Sequence, residues 1–255
     1  MARVTRRAHV GAPEYGQGMA ARVIVALDVS DVVQARTLVA RLGDACDFYK
    51  VGLELFATEG PDIVRWLRGV GKEVFVDLKL HDIPNTVGRA ARSVARLGAS
   101  LLTVHAAGGT DMVRAAVDGV AEGGSAGDAC AVLGVTVLTS LDGTRLASAW
   151  GRGASVDVQT EVLRLAGLVA AGDGMGIVCS GHEAAAVRAS FGDRLGLLVP
   201  GIRLPGDDTQ DQRRVMTPGM ASAAGARWLI LGRTVTGAPD PVAALAAVHA
   251  SIRGA

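Results

Sequence analysis

From Ala21 onward the chain repeats one alternation: a short apolar run rich in β-branched residues, a polar turn, then a stretch with apolar residues at helical spacing. The apolar runs predict strands over 22–27, 47–51, 73–78, 100–105, 131–138, 175–179, 195–200 and 227–231. Nearly all are continuous rather than alternating, the pattern of parallel strands covered on both faces. Helical spacing marks 32–42, 84–97, 111–122, 156–171, 212–224 and 239–252. Asp31 is placed to cap the first of these and Asp111 to begin the third, while Gly43, Gly98 and Gly172 fall where helices should stop.

Eight such units within residues 21–255 predict a single-domain α/β protein, a (β/α)8 TIM barrel. An open doubly wound sheet is the structural alternative. No linker or shift in composition divides the chain. Residues 1–20 carry Arg3, Arg6 and Arg7, then Gly11, Pro13, Gly16 and Gly18, without the apolar stretch of a secretion signal. They are expected to be a flexible N-terminal extension, or residues upstream of an internal start at Met19. The longest irregular segment, 142–155, is expected to be a loop on the active-site face after the fifth strand.

Composition narrows the class. Lys plus Arg number 26 against 25 Asp plus Glu, a net charge of +1, which offers no electrostatic footprint for nucleic acid or an anionic membrane. No run of apolar residues is long enough for a membrane helix, and the expected location is the cytoplasm. Hydrophobic residues make up 49% and aromatics 4%, so a large core must be built from Val, Leu, Ile and Ala. Cys46, Cys130 and Cys179 are far apart without a C-x-x-C, which argues against a disulfide framework or a zinc site and for small buried hydrophobes.

In such a barrel, chemistry collects at the C-terminal ends of strands. The first strand ends at Asp28, the second meets Lys50, and the third runs into Asp77, Lys79, His81 and Asp82. The fourth ends at His105 and the fifth at Thr139-Ser140. Asp77 and Lys79 are two apart and project to one face. A charged pair on an apolar strand is expensive unless it serves something; a structural ion pair is the plain alternative. Only three of the 26 basic residues are lysines, at 50, 72 and 79, and two of these stand at predicted strand ends. An ammonium can deliver a proton; a guanidinium effectively cannot. Lys72, in the turn before the third strand, is expected to be solvated. Arg203 and Gly232-Arg233 follow the last two strands, where barrels of this kind hold phosphate. His81 and His105 are read as positioning or packing residues rather than bases. Gly123-Gly124-Ser125-Ala126-Gly127 follows a helix and precedes a strand, the reverse of a nucleophile elbow, and is read as a turn.

These residues carry a resemblance. Asp77-Leu78-Lys79-Leu80-His81-Asp82-Ile83-Pro84-Asn85-Thr86 resembles the signature of the orotidine 5′-phosphate decarboxylase family. Val25-Ala26-Leu27-Asp28, Lys50-Val51-Gly52, Val135 to Ser140, Val178-Cys179-Ser180, Pro200 to Arg203, Asp211 to Arg214 and Leu231-Gly232-Arg233 fit the same family in order, closest to its common bacterial form. The resemblance implies conversion of orotidine 5′-phosphate to UMP and CO2 without metal or cofactor, by a homodimer with shared active sites. It implies Lys79 as proton donor, Asp77 beside the substrate carboxylate, and Asp82, Ile83 and Thr86 reaching the neighbouring subunit's site. Asp28 and Lys50 would contact ribose hydroxyls, with Lys50 also in the charged network, and Thr139 or Ser140 would face the pyrimidine. Arg203, Gln212, Gly232 and Arg233 would hold the phosphate, with 204–211 closing over it. Related barrels that share D-x-K-x-x-D are Mg2+-dependent sugar-phosphate decarboxylases and aldolases; they place an acid on the second strand, where this chain has Lys50, although Glu54 lies close by. A phosphate-binding barrel with a regulatory role is a further alternative, and it leaves the Asp77–Lys79 pair unexplained.

Overall fold

A computed structural model describes residues 20–125, 129–205 and 216–254. Eight parallel strands close into a barrel in sequence order, with β1 (Arg22–Leu27) pairing both β2 (Phe48–Val51) and β8 (Trp228–Leu231). Between them run β3 (Glu73–Leu80), β4 (Leu101–His105), β5 (Ala131–Val135), β6 (Gly176–Val178) and β7 (Gly196–Val199). The closed barrel replaces the open-sheet alternative. Residues 1–19 lie outside the described residues, as do Ala126 and Gly127 of the glycine-rich turn.

Alternation along each strand divides the core in two. Val23, Val25, Leu27, Tyr49, Val51, Val74 and Val76 point outward into a shell shared with the helices. Ile24, Ala26, Phe48, Phe75, Leu101, Leu133, Leu198, Trp228 and Ile230 point inward and fill the barrel floor. Trp228, Phe48 and Phe75 are fully buried there, each contributing about 1.5–3 kcal/mol or more by leaving water. The inward rows continue upward by twos: 24, 26, 28; 48, 50; 75, 77, 79; 101, 103, 105. The geometry that builds the floor therefore delivers Asp28, Lys50, Asp77 and Lys79 to the mouth, with Thr103 and His105 behind them.

Helix α1 (Val32–Leu42) begins where predicted, with Asp31 accepting from the Gln34 amide, and stops at Gly43, whose φ of 50° suits glycine. Two helices unmarked by the periodicity fill the β2–β3 crossover, α2 (Leu53–Glu59) and α3 (Asp62–Gly69). Then come α4 (Pro84–Arg96) and α5 (Thr110–Gly123), which pack so closely that a Cβ at Gly119 would lie 2.1 Å from the Gly88 carbonyl oxygen. The segment expected to be irregular contains a helix, α6 (Gly143–Trp150), because Asp142 caps it through the Arg145 amide and Gly151 ends it in the left-handed region. Arg152, just beyond, is tied to the buried Glu161 of α7 (Val158–Ala171), which anchors this excursion over the barrel. The remaining helices are α8 (Gly181–Phe191), α9 (Pro218–Ala223), α10 (Arg233–Thr236) and α11 (Pro241–Arg253). Of the predicted 212–224 helix only its second half is described, as α9. Lys72 is not simply solvated: its ammonium donates to the carbonyls of Gly43 at 2.7 Å and Cys46 at 2.9 Å, closing the barrel's lower rim. Cys46 and Cys179 are buried and Cys130 half-buried, all as free thiols.

Candidate active site

Above the apolar floor lies a cavity of about 500 Å³ open at the C-terminal ends of the strands. Asp28, Lys50, Asp77, Lys79, Thr139, Arg203, Gly232 and Arg233 all line it. Every one of these positions was singled out by sequence; strand parity brings in the first four, and Thr139, Arg203, Gly232 and Arg233 come from the segments that follow β5, β7 and β8.

The charged side of the cavity comes from the first three strands. Lys79 Nζ donates to Asp77 Oδ2 at 2.8 Å, and Lys50 Nζ donates to Asp28 Oδ1 at 2.8 Å and stands 3.8 Å from Asp77 Oδ2. Asp28, Lys50, Asp77 and Lys79 thus form a continuous chain of alternating charge with no net excess, the arrangement that makes burying Lys50 to 9% exposure tolerable. Room for the Lys50 ammonium depends on Gly52, where a Cβ would come within 3.0 Å of Nζ. Lys79 is one of two described residues other than glycine with a positive φ, at 50°.

The lining from β5 and β6 is apolar, with Val135, Val137, Leu138 and Val178, and Leu198 and Ile230 continue it from the floor. Thr139 lines the cavity, while Ser140 is exposed and outside the lining. Strand β5 ends at Val135 rather than 138; beyond it the Thr136 hydroxyl donates to the Val178 carbonyl at 2.8 Å, holding the extended chain against β6. The third side carries two guanidinium groups. Arg203 is buried, with one nitrogen on the Ile202 carbonyl at 2.9 Å, and Arg233 is exposed at the start of α10. Gln212 and residues 206–211 of the expected closing loop lie outside the described residues.

Three predicted residues are not brought to this cavity. Asp82, Ile83 and Thr86 sit at the start of α4, exposed, with Ile83 at 66%. Asp82 accepts from the Ile83 amide at 2.6 Å. Glu54 is exposed in the first turn of α2 and away from the lining, so it supplies no second-strand acid. His81 and His105 lie beside the charged chain, their rings 5.4 Å apart, and neither is among the lining residues. Burial, with the nearby charges of His81 and Lys79, holds His105 below the usual histidine range, opposed by Asp77. Among the described residues no three of His, Cys, Asp and Glu cluster as a metal site.

The sequence reading missed Thr103. It is fully buried and touches both members of the central pair: its hydroxyl accepts from the Lys79 amide at 2.9 Å and donates to Asp77 Oδ1 at 2.9 Å. The available signal was its parity with His105, a polar inward position in an apolar strand.

Known proteins bear on this arrangement. A sequence model of the orotidine 5′-phosphate decarboxylase / HUMPS family matches residues 21–248. The chain is 49% identical over 231 residues to the orotidine 5′-phosphate decarboxylase of Anaeromyxobacter dehalogenans, spanning 91% of this chain and 98% of that protein. It is 48% identical over 236 residues to the enzyme of the same name from Thermobifida fusca, spanning 92% and 97%. The crystal structure of orotidine 5′-phosphate decarboxylase from Lactobacillus acidophilus superposes with a TM-score of 0.82 at 36% identity, over 92% of this chain and 99% of that one. With a family match over most of its length and a charged chain seated at the mouth of an eight-stranded barrel, this chain belongs to the orotidine 5′-phosphate decarboxylase / HUMPS family.

Proposed function

We propose that the chain decarboxylates orotidine 5′-phosphate to UMP and CO2, the last step of de novo UMP synthesis, and needs no metal or organic cofactor to do so. The observation that carries this reading is the Asp77–Lys79 pair, 2.8 Å apart on the inward face of one strand, at the edge of a cavity with an apolar wall and two guanidinium groups.

Breaking the C6–carboxylate bond leaves its electron pair on C6, in the ring plane, where it cannot delocalise into the π-system. A fixed cation must lower the energy of that developing charge and then quench it. Lys79 serves both needs: its ammonium sits close as the pair forms, then passes a proton to C6, and the resulting amine is reprotonated from solvent. Asp77 flanks the departing carboxylate, a like-charge contact that is relieved as CO2 leaves. Asp28 and Lys50 engage the ribose hydroxyls, and Thr139 faces the pyrimidine. Arg203, Gly232 and Arg233 hold the phosphate, joined by Gln212; these contacts, remote from C6, can offset the cost of drying the site.

The same reading makes the active unit a homodimer. Asp82, Ile83 and Thr86 are exposed at the start of α4 and do not line their own cavity, which supports assigning them to the cavity of a second copy. Sedimentation should give twice the chain mass. Lys50, an ammonium where a divalent cation would need an acid, weighs against the Mg2+-dependent sugar-phosphate chemistry.

The test is spectrophotometric. Purified protein should consume orotidine 5′-phosphate, followed by its loss of absorbance, at the same rate with and without EDTA. Complete inhibition by the chelator would point to the metal-dependent chemistry instead.

A further inference from the structure

Strands β3 and β4 do not keep step. Phe75 pairs with Leu101 and Val76 with Leu102, but the next pairing is Leu80 with Val104, so β3 spends four residues where β4 spends two. The surplus is taken up around Asp77, Leu78 and Lys79, and Lys79 there adopts a φ of 50°. A residue other than glycine in the left-handed region is strained and persists only where its surroundings over-determine it.

Thr103 is what over-determines it. A hydroxyl has one proton to give and lone pairs to accept with. Here the proton goes to Asp77 Oδ1 and a lone pair takes the Lys79 amide, both at 2.9 Å, from a side chain with no exposed surface. One oxygen atom therefore ties the backbone of the cation to the side chain of the anion. With Oδ1 held by Thr103, it is Oδ2 that meets Lys79 Nζ at 2.8 Å and lies 3.8 Å from Lys50 Nζ. Rotation of the Asp77 carboxylate and the aim of the Lys79 side chain are set by the same contact.

We infer that Thr103 is a positioning residue for the reaction: it fixes the Asp77–Lys79 pair through the bulge in β3 and touches no substrate itself. The inference rests on the decarboxylase reading for its kinetic consequence, but the geometric consequence is independent of it.

Thr103→Val keeps the shape and removes the hydroxyl; Thr103→Ser keeps the hydroxyl and removes a methyl group. A misplacement of about 1 Å can cost about 100-fold in rate, so Thr103→Val should lower kcat by roughly that factor with KM changed by less than about threefold. Thr103→Ser should recover most of the wild-type kcat. Because the chain has only three lysines, selective labelling with 13C- and 15N-lysine gives a second readout by NMR. The Lys79 resonances should move in Thr103→Val and hold in Thr103→Ser, with those of Lys72 fixed in both. If Thr103→Val does not fold, Thr103→Ala takes its place in both measurements. Unmoved Lys79 resonances in the variant lacking the hydroxyl, or a Thr103→Ser loss as large as that of Thr103→Val, would overturn the inference. A wild-type protein that leaves orotidine 5′-phosphate untouched sinks the decarboxylase reading instead, and the Lys79 resonances still decide the case of Thr103.

Discussion

The barrel carries an ionic cluster at each end of the same inward rows, and the two are built from different residues. At the base, Arg22 grips Glu73 with both terminal nitrogens, at 2.6 and 3.2 Å, and lies 4.9 Å over the Phe48 ring. At the mouth, two or three inward positions further along the same rows, stand Asp28, Lys50, Asp77 and Lys79. A guanidinium fork occupies both oxygens of one carboxylate and keeps its proton. An ammonium meets one oxygen at a time, retains donors for another partner and can surrender a proton. The base is closed by its own hydrogen bonds; the mouth is left with capacity directed at a cavity. Residue type, rather than position in the strand, separates an ion pair closed on itself from one that keeps donors facing a cavity.

Making the mouth resemble the base breaks the comparison most directly. Lys79→Arg keeps the charge and removes the deliverable proton, and should lower kcat by about ten-thousand-fold or more while the thermal midpoint moves by less than about 4 °C. Turnover near the wild-type rate would end Lys79's role as proton donor. Next in size is Arg233, assigned to the phosphate in the proposed reading: Arg233→Ala should raise KM for the phosphorylated substrate by about 10- to 100-fold, the worth of a charge-assisted contact. Unchanged steady-state constants would remove it from the phosphate site. The base should behave in the opposite way. Glu73→Gln should leave kcat alone and lower the midpoint by about 2–4 °C, corresponding to about 1 kcal/mol for a chain of this size.

The smallest effect concerns acid. His105 is held below the usual histidine range in the folded state, first by burial. The unfolded chain therefore takes up this proton at a higher pH than the folded one. The stability involved is present above about pH 6.5 and declines as pH falls through that value. Thermal midpoints measured from pH 7.5 down to 5.5 should fall less steeply in His105→Gln than in the wild type; parallel curves would clear His105 of that role.

Much of this site was legible because strands are short rulers. Once 73–78 is a strand, Asp77 and Lys79 share a face, and the apolar runs before Asp28 and Lys50 place those residues at the same rim. The helices between β2 and β3 were not legible: Gly52, Gly60 and Pro61 cut the segment into two pieces of two turns each, too short for a period to register. Helix α8 was hidden for another reason, since its run of alanines has little contrast between faces. The 142–155 segment looked irregular through its glycines and polar residues, yet Asp142 and Gly151 are the two ends of α6. Thr103 offered only its parity with His105, because its meaning is non-local: a threonine in an apolar strand reads as tolerated until the slip between β3 and β4 sets it against the Lys79 amide.

Strand alternation also limits how this chemistry can change over time. Deleting one residue between Phe75 and Asp77 would turn the cation and its partner away from the mouth and into the oily jacket beneath the helices, where neither has a counterpart. Exchanges of side chain are available at the rim one at a time, but changes of chain length are open only in pairs. Diversity among descendants of such a barrel should accumulate as new letters at fixed addresses, with insertions confined to the loops.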